Sequence, residues 1–320
     1  MPTAGVRVLT IAKRFDLPYN VTHIDKVANI MGTIAQVQPD VIVTSTFQPG
    51  ALLQAPFEIR KHWIHVPEDA PVDAIIGAVE ACYFHNCFHE HPNDKVNALI
   101  SVYTGTYNPG DYLRECYESI RTQTYPNWEW VVVDDMSSDD TWDRLVGIAR
   151  EDVRVRPFRS GKHIGKVGAV KGMATRLARG VYLVELDHDD MLADTALAEI
   201  KKVFDEDPEV GFVYSNCSAF FENGTFHQFP DPFWTPRYRW TEYHGKKWLE
   251  CVSPNIYDRF GPGHFQQFAW HLTVNANHVR AFRATAFREV GGYNENLPVV
   301  DDWDAMAKIF LAGPPMELNR

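Results

Sequence analysis

Three apolar runs rich in β-branched residues constrain the fold of this chain most. They read ALISVY, WEWVVVD and VYLVELD, and they begin at Ala98, Trp128 and Val181. The stretches between them, such as DYLRECYESIRTQTY, place their apolar residues on one helical face. Buried strands that alternate with helices are typical of a mostly parallel sheet covered by helices. The sequence therefore predicts an α/β protein with its ligand site at the carboxyl ends of the strands.

Composition narrows the classes of function. With 320 residues, of which 45% are hydrophobic, the chain can form two domains, or one large domain with an extension. A net charge of -11 argues against a protein that coats nucleic acid. Five cysteines, odd in number and without disulfide-framework spacing, favour a reducing cytoplasm.

The sequence gives no sign of a membrane anchor. The start MPTAGVRVLT lacks a basic segment followed by an apolar one, which a secretory signal would show. A membrane span needs about 18 consecutive apolar residues, and no stretch comes close to that length. We therefore predict a soluble, cytoplasmic protein without a transmembrane segment. Peripheral membrane contact and the oligomeric state stay open.

The first ninety-odd residues carry a pattern of their own. VRVLTI from Val6 and DVIVTST from Asp40 predict strands, and the apolar spacing around Ile30 and Ile75 predicts helices. We expect a small α/β domain of unknown role over residues 1–96, followed by a second domain over residues 97–320.

A cysteine- and histidine-rich segment, CYFHNCFHEHPNDK, joins the two predicted domains. Closely spaced thiols and imidazoles can bind zinc. The candidate ligands would be Cys82, His85, Cys87, His89 and His91. Their spacing is not that of a zinc finger, and a helix end that runs into a polar linker explains the same residues.

Carboxylates follow two of the three apolar runs. Asp134 and Asp135 end the second run, and Asp187, Asp189 and Asp190 follow the third. Such crowded charges repel one another unless they are solvated or bind a cation. Mg²⁺ or Mn²⁺ would bind these oxygens and keep open positions for substrate phosphates. An acidic turn that caps the next helix gives the same pattern.

Six motifs occur in a characteristic order: TGTYNPGDYL, VVVDDMSSDDTWD, GKVGAVKGMA, ELDHDDML, GGYNE and DDWDAM. With them the chain resembles family 2 glycosyltransferases over about residues 98–313. The resemblance implies a GT-A fold, which is Rossmann-like with a mostly parallel sheet flanked by helices. It also implies inverting, metal-dependent transfer of a sugar from a nucleotide-diphospho-sugar, chiefly a UDP-sugar, to a hydroxyl of a glycan or polysaccharide.

The resemblance assigns residues to the nucleotide. GTYN resembles the PTYN of the family, which receives the base, so Thr106, Tyr107 and Asn108 are candidates for donor binding. Tyr107 would stack on uracil. Asp135 would accept the N3–H of that base, a proton that cytosine lacks.

The motif GKVGAVKGMA implies that Lys166 lies near the donor phosphates, although a solvated charge at a helix start explains it equally. Gly105, His163 and Lys171 depart from the residues usual in the family. Lys171, too, has a solvated surface charge as its alternative.

The resemblance also assigns the metal and the base. Asp187 and Asp189 match the D-x-D carboxylates, which hold Mn²⁺ or Mg²⁺ as the leaving diphosphate develops charge. Asp302 in VDDWDAM matches the catalytic base that accepts the acceptor's proton. Capping of a helix by Asp301 or Asp302 is the alternative and is compatible with catalysis.

An aromatic-rich region lies between the motifs ELDHDDML and GGYNE. Its tryptophans can stack on acceptor sugars or form a small core under long loops, and its histidines can contact a diphosphate or a metal, or simply pack. The residues in question are Trp234, Trp240, Trp248, Trp270, His271 and His278.

Two other functions compete with glycosyl transfer. A nucleotidyltransferase acting on sugar phosphates also uses strand-end carboxylates and a metal, but leaves DDWDAM without a role. A catalytically inactive nucleotide-sugar binding module would explain the departures at Gly105, His163 and Lys171.

Overall fold

A computed structural model describes residues 6–25, 29–45, 50–53, 55, 59, 62–66, 69–88, 98–228, 237–252, 278–297 and 301–312. Two parallel or mostly parallel sheets and a separate hairpin make up the strands of these residues. None of the helices in the described ranges combines the length and hydropathy that a membrane crossing requires.

The first sheet has four parallel strands in the order β2-β1-β3-β4. Its apolar face packs under the last helix of the segment through residues such as Val43, Ile75 and Val79. The elements are β1 (Arg7–Ile11), β2 (Asn20–Ile24), α1 (Ile30–Val37), β3 (Val41–Thr44), α2 (Gly50–Leu53), β4 (Trp63–His65) and α3 (Val72–Phe88). This is the predicted small α/β extension, with β2 and β4 as additional strands.

The second segment alternates strand and helix as the apolar runs predict. Its elements are β5 (Ile100–Thr106), α4 (Tyr112–Arg121), β6 (Trp128–Asp134), α5 (Thr141–Glu151), β7 (Val155–Arg159), α6 (Val167–Leu177), β8 (Tyr182–Glu185), α7 (Ala196–Glu206) and β9 (Phe212–Tyr214). Then follow β10 (Arg237–Tyr243), β11 (Lys246–Val252), β12 (Arg280–Arg283), α8 (Ala284–Glu289) and α9 (Asp301–Ala312).

The second sheet has six strands in the order β7-β6-β5-β8-β12-β9. Strands β5 to β8 run parallel, which confirms the predicted α/β class. Strand β12 enters antiparallel between β8 and β9, a feature that the apolar pattern does not predict. The remaining strands, β10 and β11, form an antiparallel hairpin.

Buried contacts join the two sheets at the edge strands β4 and β7. The Trp63 ring meets Phe158 edge-on at 5.2 Å between centroids. Arg156 Nη2 donates a hydrogen bond of 2.9 Å to the Trp63 carbonyl. The helix α6 covers one face of the second sheet with Val170, Ala174 and Leu177 among its buried residues.

Candidate active site

Parallel pairing brings the predicted site residues to one edge of the sheet. Thr106 at the end of β5 lies beside Asp134 at the end of β6. Strand β8 lies on the other side of β5 and ends at Glu185, so the acidic turn that follows it opens at the same edge. Strand order alone therefore brings the D-x-D turn close to GTYN (Gly105 to Asn108), which we call the nucleotide motif.

Asp187 and Asp189 differ in their surroundings. Asp187 has a side-chain exposure of 29%, and its Oδ1 lies 2.7 Å from Lys171 Nζ. Asp189 is exposed, and within the described residues no hydrogen bond or ion pair holds its carboxylate. The turn thus presents one anchored carboxylate and one available carboxylate.

His278, which precedes β12, faces this turn. Its Nδ1 lies 3.0 Å from Asp190 Oδ2, and its Nε2 lies 3.5 Å from Asp187 Oδ2 and 3.8 Å from Glu185 Oε1. Burial opposes charge on the ring, but the bond with Asp190 and the Glu185 carboxylate outweigh it and raise the pKa of His278 to about 9. The imidazole is therefore cationic at neutral pH in this arrangement.

A buried glutamate organises the cations around the turn. Glu185 Oε1 lies 2.7 Å from Lys171 Nζ and 3.2 Å from Arg280 Nη1, and Tyr293 donates its hydroxyl proton to Oε2 at 2.9 Å. Burial lowers the pKa of Lys171, but Glu185 and Asp187 outweigh burial and raise it above its ordinary value. Lys171 is thus a buried ion-pair partner, and its interpretation as a solvated surface charge is wrong.

The same arginine reaches the predicted base. Arg280 Nη1 lies 2.7 Å from Asp302 Oδ2, so ion pairs link Asp187, Lys171, Glu185, Arg280 and Asp302 in that order. We call this chain of ion pairs the Glu185 network. It connects the D-x-D turn with the candidate base through groups that are almost entirely buried.

Asp302 lies in the first turn of α9, as the capping pattern predicts. Its Oδ1 accepts the backbone N–H of Trp303 at 2.7 Å. Its neighbour Asp301 is buried, and burial raises the pKa of the Asp301 carboxyl. The start of α9 lies so close to α6 that a Cβ placed on Gly168 would be 2.5 Å from Asp301 Cβ.

The nucleotide motif lies beside this network. The Tyr107 ring is 43% exposed and lies over the His163 ring, with 4.4 Å between centroids. Thr106 Oγ1 is buried and has no hydrogen-bond partner among the described residues. Asn108 has a positive φ of 47° and accepts the backbone N–H of Ser138 through Oδ1.

Asp135 is buried, and its carboxylate holds the loop between β7 and α6. Oδ1 accepts from Ser160 Oγ at 3.0 Å and from the Ile164 N–H at 2.8 Å. Oδ2 accepts from the Gly165 N–H at 2.8 Å and lies 3.0 Å from His163 Nδ1. The carboxylate therefore fixes the loop that leads to Lys166, whose Nζ is exposed and 3.5 Å from the Asn296 carbonyl.

Residues of this arrangement fit a divalent cation. Glu185, Asp187 and His278 each offer one ligand atom, and the three atoms lie within 4.8 Å of one another. His278 Nε2 is buried without a hydrogen-bond partner among the described residues. Because Glu185 Oε1 already accepts from two cations, Asp187 and His278 are the better donors of the three.

The aromatic and zinc-ligand candidates from the sequence have different surroundings in the structure. Trp240 is 63% exposed on β10, whereas Trp248 on β11 packs edge-on against Phe220 and Phe226. Cys82 is buried on α3. Trp234, Trp270, His271, His89 and His91 lie outside the described residues, and so do the side chains of His85 and Cys87.

Sequence reasoning missed Glu185 and Arg280. Glu185 is an acidic residue inside the apolar run VYLVELD, and a buried charge there requires a partner. That signal was available. Arg280 comes from β12, 95 residues further along the chain, and no local pattern points to their contact.

Fold and site place the chain among α/β enzymes that bind a substrate at the carboxyl ends of a parallel sheet. It matches the model described as Glycosyl transferase family 2 over residues 101–291. The chain belongs to this glycosyltransferase family, as its six motifs predict.

The curated relatives match this chain over only part of their own length. The chain is 28% identical over 222 residues to a chondroitin synthase of Escherichia coli. This alignment covers 69% of this chain and 28% of the relative. It is 36% identical over 118 residues to the UDP-Glc:alpha-D-GlcNAc-diphosphoundecaprenol beta-1,3-glucosyltransferase WfaP of Escherichia coli, covering 37% of this chain and 45% of that protein. The chain thus spans less than half the length of either relative.

A solved structure agrees on the fold. S. aureus TarS 1–349 aligns over 68% of this chain and 57% of its own, with a TM-score of 0.51 and 19% identity. At this level the likeness establishes the shared GT-A fold alone.

Proposed function

We propose that this glycosyltransferase moves a sugar from a UDP-sugar to a hydroxyl of a glycan acceptor, with inversion and with a divalent metal. The Glu185 network carries the proposal, because it joins a D-x-D turn to an aspartate at a helix start. Two similarities support the donor: WfaP is named for UDP-Glc, and TarS has been solved with UDP.

The donor would bind along the ends of β5 and β6. Tyr107 would stack on the uracil, and the unpartnered Thr106 Oγ1 and the Asn108 backbone lie beside it. Asp135 holds the loop of residues 160–165 through three hydrogen bonds, and one acceptor position of its Oδ2 stays available for the N3–H of the base. That loop delivers Lys166 toward the phosphates.

Asp187 and Asp189 would hold Mn²⁺ or Mg²⁺, with His278 as a third donor after it loses its proton. The bound ion would stabilise the negative charge of the leaving diphosphate. Lys171 keeps Asp187 in place through a 2.7 Å ion pair.

Asp302 would accept the proton of the attacking hydroxyl. Each carboxylate oxygen has two acceptor positions, and the contacts with Arg280 and the Trp303 N–H occupy one on each oxygen. The oxygens therefore retain lone pairs for a hydroxyl proton. Because Arg280 fixes the carboxylate, its direction relative to the D-x-D turn is set before substrate binds.

UDP release from UDP-sugars, measured with Mn²⁺, Mg²⁺ or EDTA, tests these roles. Asp302→Asn should lower kcat by about 10²- to 10⁴-fold and leave UDP binding intact, since a general base contributes that much. Asp189→Asn should lose metal-dependent UDP binding. Asp304→Asn is the matched control, because Asp304 lies in the same helical turn but pairs with Lys308.

Three results would count against the assignments. Equal activity of Asp302→Asn and Asp304→Asn would contradict the assignment of Asp302 as the catalytic base. Metal-dependent UDP binding without turnover of any donor by the wild type would favour an inactive binding module. Formation of a UDP-sugar from UTP and a sugar 1-phosphate would favour a nucleotidyltransferase.

We also propose that the reaction takes place in the cytoplasm. The four cysteines that the structure describes with their side chains are all free thiols. That state suits a reducing compartment. Cell fractionation with a compartment marker tests this placement.

A further inference from the structure

Two cysteines lie opposite each other beside the acidic turn. Cys217 follows β9, and Cys251 lies in β11, where the two residues form an antiparallel bridge. Each donates its backbone N–H to the carbonyl of the other, at 3.3 Å and 2.7 Å. Directly opposed residues of this kind have Cα atoms about 5.5 Å apart and side chains on the same face. Disulfides span Cα separations of about 4.4–6.8 Å, so the Cα separation expected for this pair permits a bridge.

The two thiols interact but differ in exposure. Cys251 is only 1% exposed, whereas Cys217 is half-buried. Their sulfurs share a hydrogen bond, in which the thiol of one cysteine stabilises the thiolate of the other. Of the two sulfurs, that of Cys217 is the one that a small molecule can reach.

Hydrogen bonds of neighbouring side chains hold the two cysteines opposite each other. Asn216 donates to Glu250 Oε1 at 2.7 Å, and Ser218 Oγ donates to the Leu249 carbonyl at 2.9 Å. These bonds flank the bridge on both sides. The sulfurs therefore stay paired for structural reasons that do not depend on a ligand.

We propose that Cys217 and Cys251 form a thiol–disulfide exchange site that reacts with a low-molecular-weight disulfide such as glutathione disulfide. The Cys217 sulfur, as thiolate, attacks one sulfur of the reagent, which forms a mixed disulfide and releases one thiolate. Cys251, as thiolate, then attacks the Cys217 sulfur and releases the second thiolate. Two protein thiols are oxidised to one disulfide, and the reagent is reduced to two thiols, which take up the two protons.

The bridge would tie the β10–β11 hairpin to the sheet edge next to the donor site. The opposite end of the hairpin is already held, because Tyr243 accepts the Asp194 N–H through its hydroxyl at 2.7 Å. Asp194 follows the D-x-D turn, so the hairpin borders the turn at that end and the thiol pair at the other. Oxidation should therefore slow amide hydrogen exchange in β10 and β11.

Incubation with glutathione disulfide followed by a non-reducing peptide map tests the proposal without any activity assay. The wild type should yield a Cys217–Cys251 linked peptide that dithiothreitol abolishes. Cys251→Ser should instead accumulate a glutathione adduct on Cys217, and Cys217→Ser should leave the buried Cys251 unmodified. Cys116→Ser, at a buried cysteine in α4, is the control and should form the linked peptide like the wild type.

Absence of the linked peptide in the wild type would overturn the proposal. It would also fail if Cys217 carried as much glutathione in the wild type as in Cys251→Ser, because Cys251 would then not resolve the mixed disulfide. Circular dichroism of each variant establishes that the compared proteins are folded.

Discussion

Two buried glutamates of the same sheet, Glu129 and Glu185, have similar partners and opposite positions. Glu129 lies near the amino end of β6 and pairs with Arg156 and Arg179 at 2.7–2.9 Å. Glu185 lies at the carboxyl end of β8 and pairs with Lys171 and Arg280. Each carboxylate thus balances two cations in a place that excludes water.

The two glutamates differ in the further contacts that their cationic partners make. Arg156 donates its remaining bonds to the carbonyls of Leu177 and Trp63, so the Glu129 cluster ends in backbone and braces the two sheets. Lys171 and Arg280 reach Asp187 and Asp302 instead, which are 29% and 32% exposed. The same ionic arrangement is a brace at one end of the strands, and at the other end it holds the two carboxylates that we propose for metal binding and catalysis.

Glu129→Gln should show the largest loss of stability among variants outside the Glu185 network. It leaves Arg156 and Arg179 buried with one negative charge fewer, and breaking such an arrangement costs about 3–5 kcal/mol. The free energy of unfolding in urea measures this loss. Turnover per folded molecule should stay near that of the wild type, and a proportional loss of kcat would remove the distinction between brace and site.

Acid should weaken the same brace. Burial raises the pKa of Glu129, but Arg179 and Arg156 outweigh burial and hold it well below its usual value. Because the folded pKa is depressed, this stabilisation is complete above the unfolded pKa of about 4.3 and is lost as the pH falls below it. Urea midpoints at pH 7, 5, 4 and 3 should fall less steeply for Glu129→Gln than for the wild type. Parallel curves would contradict the direction of this shift.

Gly168→Ala should disturb the site end of α6. The new Cβ would lie 2.5 Å from Asp301 Cβ, so the start of α9 must shift. Overpacking of this kind costs about 1–3 kcal/mol, and turnover should fall with it because Asp302 moves. Gly147→Ala in α5 is the control: its Cβ meets nothing within 4 Å, and we expect about 0.4–1 kcal/mol of stabilisation. Similar urea midpoints for both variants would contradict the close packing of α6 on α9.

Asp69→Asn should have the smallest effect. Asp69 pairs with Arg150 across the two sheets, but both side chains are largely exposed. Exposed pairs contribute about 0–1 kcal/mol, so the variant should unfold within about 0.5 kcal/mol of the wild type. A loss as large as that of Glu129→Gln would mean that the surface pair, and not the buried cluster, joins the sheets.

The sequence predicted the parallel sheet and the convergence of the D-x-D turn with the nucleotide motif. It could do so because strand period, helix period and strand-end carboxylates are local signals. It also placed Asp302 in the first turn of a helix, from the acidic start and the apolar spacing of α9.

The Glu185 network was not predictable in the same way. Its cations come from α6 and β12, and β12 runs antiparallel between β8 and β9. Contacts between residues so far apart in the chain depend on strand order, which a single sequence encodes only through the whole fold. The buried position of Lys171 follows from the same packing, because Glu185 and Asp187 lie on a neighbouring element.

The most direct test of the central claim compares kcat of Glu185→Gln and Glu129→Gln at saturating donor, each divided by its folded fraction. Both substitutions remove one buried charge from a pair of cations, so each controls for the stability loss of the other. If the Glu185 network positions Asp187 and Asp302, kcat of Glu185→Gln should fall by about 10²-fold, as misplaced reacting groups do, while Glu129→Gln stays within about twofold. Equal losses of kcat in the two variants would contradict the account.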